Sequence, residues 1–340
     1  MIRQLGGGPD TPSAEAIPSR SAWLRYLIAL AGGVLISLVC YYVLLFSLAA
    51  SDNLPPPAFS NSLCVDEKLK FLREHKVTSP DLLVVGSSVA WRHFDGAAMA
   101  NNPSGSNPLN GGFCGLKVHQ SVHVADWLLE RQPSVRQVVM IVAPQDFSGC
   151  QTSQAVFDRK EADRFVYGDA SRWGFYLRYF SPSSLLRNAQ SVQAQRANRI
   201  ELDPLVFNRY GDGPMDTAAS RETLKYGLPE KLDAECFAAL HTLAKRLQGE
   251  GRKFTVISTP LHPDWKTQQD PQGLFLDGFN KQILGALRES SGQYWNADAE
   301  WKPPVSSFTD AIHLRWSAAQ SFSIAMAQHL RDEPLAKQSR

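Results

Sequence analysis

The stretch Leu82–Trp91, LLVVGSSVAW, decides the fold. Its first four residues are apolar with no alternation, the pattern of a strand buried on both faces of a parallel sheet. Gly86 ends the run, two serines follow, and Val89–Met99 reads as a helix. Working outward, Val138–Ala143 (VVMIVA) and Phe254–Ser258 (FTVIS) repeat the buried-strand pattern, and Tyr294–Asn296 offers a shorter one. Between and around them Asp66–His75, Leu116–Glu130, Lys231–Leu247, Leu276–Arg288 and Ser317–Leu330 carry helical character. Strands alternating with helices predict an α/β domain, a parallel sheet covered by helices on both faces.

Upstream, Tyr26–Leu48 (YLIALAGGVLISLVCYYVLLFSL) contains no charged residue. About 20 residues at about 1.5 Å each cross a hydrocarbon core, so this run is expected to be a transmembrane anchor. It is longer than the apolar region of a cleaved signal peptide, and it lacks the polar face of a soluble surface helix. Arg3, Arg20 and Arg25 precede it, and no Lys or Arg follows until Lys68. The positive-inside rule then places the N-terminus in the cytoplasm and the rest outside. In a Gram-negative cell the anchor would sit in the inner membrane and the main domain in the periplasm.

The 340 residues carry a net charge of +2, which gives no reason to expect a nucleic-acid partner. The expected layout is a disordered cytoplasmic tail (1–21), the anchor (22–50), a Pro-rich spacer (51–62) and the extracytoplasmic domain (63–335). Residues 151–227 show no strand pattern, and a structureless loop of that length is improbable, so a partly helical insertion is expected. Of the five cysteines, Cys40 falls in the anchor. Cys114 and Cys150 each follow an element that ends at the carboxyl edge of the sheet and are expected to pair, leaving Cys64 and Cys236 as a second bridge. Free buried thiols account for the same residues equally well.

Ser88 follows the first strand and opens a helix. This places its hydroxyl at the carboxyl edge of the sheet beside helix N–H groups, where open α/β folds keep their sites. A serine there also serves as a plain N-cap. Asp310 and His313 stand in FTDAIHLRW, where a short turn lets the carboxylate orient the imidazole for a serine hydroxyl. Alone, each motif is weak. Asn110, Gly112 and Gly115 lie in NGGFCG, and Gln145 and Asp146 end the next strand. His119 and His123 have metal-ligand spacing, but the Glu of a zinc-protease helix is absent, and ordinary helix surface is the preferred reading. His93 reads as a packed or solvated side chain one turn beyond Ser88. Trp173, Tyr176 and Tyr179 read first as core aromatics and second as sugar-stacking rings.

In order and spacing, these blocks resemble the SGNH (GDSL-like) hydrolase family across residues 80–330. Gly86-Ser87-Ser88 matches the family's Gly-Asp-Ser with Ser in place of Asp. Gly112 or Gly115 matches the second-block glycine, Ala143–Asp146 aligns loosely with Gly-x-Asn-Asp with Gln145 in place of Asn, and Asp310-x-x-His313 matches fully. The resemblance implies a flavodoxin-like sheet. It also implies a catalytic set of Ser88, Asp310 and His313, an oxyanion hole from Ser88, Gly115 and Gln145, and no metal or organic cofactor. Asn110, Gly112 and His262 are candidate substrate contacts. The anchored layout is similar to alginate O-acetyltransferase and teichoic-acid D-alanyl transfer proteins. That similarity implies acyl transfer on a cell-surface polysaccharide beside a multi-span membrane acyltransferase. A plain esterase and a non-catalytic scaffold are the alternatives.

Overall fold

The computed structural model describes residues 19–60, 62–102, 105–152, 155–197, 204–215 and 226–332. Most of the expected tail, 1–21, lies outside the described residues, as do parts of the insertion. The chain divides into two units at Leu54 and Pro55. The first holds α1 (Arg20–Ala50), 31 residues with a mean hydropathy of 2.4 over its apolar window, long and apolar enough to cross a membrane.

The second unit is α/β. It opens with α2 (Leu63–Glu74), β1 (Leu82–Gly86), α3 (Ser88–His93), α4 (Gly96–Ala100) and β2 (Pro108–Asn110). It continues with α5 (Val118–Arg131), β3 (Gln137–Val142) and a 3₁₀ turn at Pro144–Phe147. The insertion contributes α6 (Arg159–Val166), α7 (Arg172–Arg178) and α8 (Pro182–Arg196). Then come α9 (Ala234–Gly249), β4 (Lys253–Ser258), α10 (Pro263–Gln269), α11 (Leu274–Leu287), β5 (Gln293–Trp295), α12 (Ala297–Glu300) and α13 (Trp316–Asp332). All strand pairings are parallel, in the order β2-β1-β3-β4-β5.

Side chains alternate across each strand, so the unbroken apolar runs feed two cores. Leu83, Val85, Val138, Met140 and Val256 pack with Leu69 of α2, Leu128 of α5, Leu243 of α9 and Ile283 of α11. Leu82, Val84, Val139, Ile141 and Ile257 face the other way, onto Val89 of α3 and Phe322 and Met326 of α13. The doubly apolar strands in the sequence thus follow from helices on both faces.

The structure departs from expectation in four places. The helix expected over Val89–Met99 breaks at Phe94, and Asp95 restarts it by accepting a hydrogen bond from Ala97 N–H at 2.9 Å. Strand β2 has three residues and no apolar run to announce it. The expected spacer is docked: Pro55–Pro57 are buried, Pro55 O accepts from Tyr176 Oη at 2.6 Å, and Phe59 packs between Phe165 and Tyr179. Tyr176 and Tyr179 therefore belong to packing.

The fourth departure corrects the cysteine pairing. The bridges are Cys64–Cys114 and Cys150–Cys236, with Cα separations of 6.3 and 5.4 Å. Strand β1 lies between β2 and β3, so the loops carrying Cys114 and Cys150 are two strand spacings apart, roughly 9–10 Å and too far to bridge. Cys64 and Cys236 sit in the first turns of α2 and α9, helices that feed β1 and β4, and so reach the same edge from beside their partners. Non-reducing peptide mapping should recover these two cross-links and no Cys114–Cys150 peptide. The Cys150→Ala, Cys236→Ala double variant should lose about 2–4 kcal/mol in denaturant unfolding.

Candidate active site

Gly86 sets the geometry. Its φ of +142° is one L side chains rarely adopt, and a Cβ there would collide with Ile141 O of β3 and lie 2.8 Å from Ala90 Cβ. Glycine lets β1 pass directly into α3, and the two serines then diverge. Ser87 is buried and its hydroxyl bonds the Asp146 carboxylate. Ser88, half-buried, turns its hydroxyl to the opposite partner.

That partner comes from the C-terminal turn. Phe308 and Leu314 form an antiparallel bridge, and Thr309 N–H donates to His313 O at 2.9 Å, closing the loop between them. Inside it Asp310 Oδ1 accepts from Ile312 N–H at 3.0 Å and His313 N–H at 2.9 Å. The carboxylate thereby shapes its own turn, a habit of aspartate that also fixes where the next side chains point. Asp310 Oδ2 lies 2.9 Å from His313 Nδ1, and His313 Nε2 lies 2.9 Å from Ser88 Oγ, across 225 residues of sequence. A carboxylate only accepts, so Nδ1 carries the imidazole proton and Nε2 is left to take the proton of the serine. Burial would raise the Asp310 pKa, but the His313 hydrogen bond and charge and the two amides outweigh it and hold it at about 2.

Other groups fix this array. His93 is fully buried, accepts Leu314 N–H on Nε2 at 2.9 Å, and faces Thr259 Oγ1 through Nδ1 at 2.7 Å. An amide only donates, so Nε2 is the bare nitrogen and Nδ1–H points to the threonine. Burial, the charge of His313 and that of Arg92 outweigh Asp310 and keep the His93 pKa well below the ordinary histidine range. The neutral ring stands edge-on to His313, 6.0 Å between centroids, and pins the residue after it to α3 and the β4 exit. Tyr226 packs against the His313 ring at 5.7 Å, with its carbonyl held by Trp265 Nε1. Met215 O accepts Trp316 N–H at 3.1 Å and its sulfur takes the Thr309 hydroxyl. Sequence reading set His93 aside and passed over Thr259, Tyr226 and Met215. Only the position of Thr259, just past a strand at the carboxyl edge, was a readable signal.

Three candidate substrate contacts serve the fold instead. Asn110 is fully buried: its amide donates to Ala90 O, Trp91 O and Asp212 Oδ1, and its oxygen accepts Gly112 N–H at 2.9 Å. A Cβ on Gly112 would lie 2.6 Å from Trp91 N, so this glycine admits α3 against the β2 loop. His262 donates its N–H to Ala311 O at 3.0 Å, caps α10 by accepting Asp264 N–H, and packs on Phe308, buttressing the Asp310–His313 turn. Of the expected oxyanion donors, Ser88 N–H stands at the start of α3. Gly115 is exposed, with nothing within 4 Å of where a Cβ would stand. The Gln145 amide donates instead to Gly227 O at 3.3 Å. His123 gives Nε2 to Phe157 O, consistent with packing. The chain matches no family model and no curated protein.

Asp146, beneath Ser87, accepts Ala143 N–H at 2.9 Å. Burial pushes its pKa up to about 7, against the Ala143 and Ser87 hydrogen bonds and the Lys117 charge. A raised folded pKa means the folded state holds the extra proton, so this contribution is complete below about pH 4 and is lost as pH rises towards 7. Asp146→Asn should flatten the decline in unfolding free energy over that window, measured by urea titration at each pH. His93→Phe, which keeps the ring and removes both nitrogens, should slow phosphonate labelling of Ser88 about 10- to 100-fold without loss of cooperative melting. Gln at that position, whose Oε1 can accept Leu314 N–H, should recover part of the rate.

Proposed function

We propose that this chain is a membrane-anchored acyltransferase of SGNH type, moving an acyl group, in the first instance acetyl, on an exported polysaccharide through an acyl-serine. The observation that carries the reading is the 2.9 Å approach of His313 Nε2 to Ser88 Oγ, with Asp310 at the same distance on the other nitrogen. His313 takes the Ser88 proton as Oγ attacks the ester carbonyl. The protonated ring, steadied by Asp310, returns that proton to the departing alcohol. A sugar hydroxyl or water then resolves the acyl-serine by the reverse path. Ser88 N–H, orphaned at the first turn of α3, is the leading oxyanion donor, with Gly115 N–H the second. Gln145 joins them once it leaves Gly227. Loss of one such donor costs about 2.7–4 kcal/mol of barrier.

The setting supports the same reading. The apolar helix α1 would hold the domain at an inner membrane, and the asymmetry of flanking arginines would put that domain outside. There the two cystine bridges are stable. Such a location brings it to exported polysaccharide and to a multi-span membrane acyltransferase able to deliver the acyl group. An esterase uses the same residues and differs only in which acceptor reaches the acyl-enzyme. A non-catalytic scaffold would not need the hydrogen-bonded relay.

Product analysis with the full-length protein, an acetyl-ester donor and oligosaccharide acceptors separates transfer from hydrolysis. Acetylated oligosaccharide supports transfer, and free acetate alone supports the esterase. Ser88→Ala should abolish covalent labelling by a serine-directed phosphonate and lower turnover by at least about 10³-fold. Ser87→Ala should still label. Full turnover by Ser88→Ala would overturn the acyl-serine, and absence of turnover and of labelling in the wild-type protein would leave the scaffold reading in place.

A further inference from the structure

A second site lies in the insertion, away from Ser88. A cleft of about 410 Å³ opens between the docked segment after α1 and the start of α8, lined by Ala58, Ser60, Leu63, Ser181, Ser184, Arg187 and Asn188. Its chemistry is one-sided. Arg187 is the only charged residue of the lining, and it is exposed along the rim. Ser181 is the N-cap of the 15-residue helix α8, yet its side chain makes no capping hydrogen bond. Pro182 has no N–H, and among the described residues Ser183 and Ser184 N–H meet no protein acceptor, so the positive end of the helix is open.

Asn188 is the independent observation. It is only 9 % exposed, it lines the cleft, and it makes no hydrogen bond with any described residue. Its amide therefore keeps its hydrogen-bonding capacity for a group in the cleft. Here the groups available to a ligand are mostly donors: two amides, the Ser181 and Ser184 hydroxyls, the Asn188 amide and the Arg187 fork. The Ser60 hydroxyl is already engaged by Ser62 O and Asp66 Oδ1, at 3.1 and 3.0 Å. Asp66 takes the Ser60 hydroxyl behind the cleft, and burial pushes its pKa up to about 8.

We infer that this cleft binds a phosphate-bearing group, with Arg187 and the first-turn amides of α8 on its oxygens and Asn188 completing the set. Phosphate fits because its oxygens accept from several directions at once, and guanidinium with a helix N-terminus is its usual pairing. Ala58 and Ser60 follow the end of α1 at Ala50 within ten residues of sequence, so a membrane lipid headgroup is the phosphate source nearest at hand, and a soluble phosphate is the other. The inference does not depend on acyl transfer at Ser88.

The test uses the full-length protein in detergent. Inorganic phosphate should raise its melting temperature saturably, beyond chloride at equal ionic strength. Arg187→Gln, at an exposed position, and Ser184→Ala should each weaken binding, the former at least tenfold, while Arg178→Gln should not. Asn188→Leu should abolish binding, and phosphonate labelling of Ser88 should be unchanged in all four. Phosphatidylglycerol vesicles that compete with phosphate would assign the cleft to a headgroup, and failure to compete would assign it to a soluble phosphate. Wild-type affinity in both Arg187→Gln and Ser184→Ala, or an equal shift with chloride, would overturn the inference.

Discussion

No side chain fits at Gly86, and most of the candidate site is arranged around that fact. The φ of +142° carries β1 into α3 within one residue, while the carbonyl of Ile141 on the neighbouring strand occupies the space a Cβ would need. The turn is therefore as close to β3 as backbone allows. This closeness lets Ser87 reach Asp146 at the end of β3, and it turns Ser88 outward to meet His313. A looser connection would not hold the two serines on opposite sides. The carboxyl ends of β1 and β3 also flank the point where the strand order reverses, so the tightest turn of the sheet coincides with its natural crevice.

Strands β1, β3 and β4 were legible because helices on both faces require unbroken apolar runs, and few other structures do. Strand β2 was not. Pro108–Asn110 holds its place through pairing with Leu82–Val84 and through the hydrogen bonds of Asn110, neither of which leaves a pattern in sequence. The residues of the candidate site were legible as types at spacings: serine after a buried strand, and aspartate three residues before histidine near a final helix. Their supports were not. His93 lies five positions beyond Ser88, about 140° round a helix, and its role follows only once α13 and the Leu314 turn are packed there. Cystine pairing failed for a related reason, because proximity along one edge does not give lateral order, and lateral order was the missing quantity.

Asn110, expected at the substrate, instead ties the insertion to the sheet through Asp212. Asp212 accepts hydrogen bonds from Gly96 N–H at 2.8 Å, Asn208 at 2.7 Å and Asn110 at 3.0 Å. Lys68 from α2, fully buried, donates to Gly211 O at 2.6 Å. Burial pulls the Lys68 ammonium down and pushes the Asp212 carboxyl up, while the attraction between them opposes both shifts. A segment held this firmly is part of the domain, and residues 204–215 run from it to the Asp310–His313 turn through Met215.

That attachment bears on how an acyl-serine at Ser88 would be resolved. Behind the serine stand Gly86 and β3, beneath it the Ser87–Asp146 pair, and beside it the His313 ring with Tyr226 against its face. Each of these is fixed by hydrogen bonds or packing that do not involve Ser88, so the array is assembled before any substrate arrives. An acceptor then reaches the ester from the solvent side of the half-buried serine. The discrimination between sugar and water in the proposed reaction therefore belongs to residues lining that approach, and the triad itself, being equally competent with either, carries none of it.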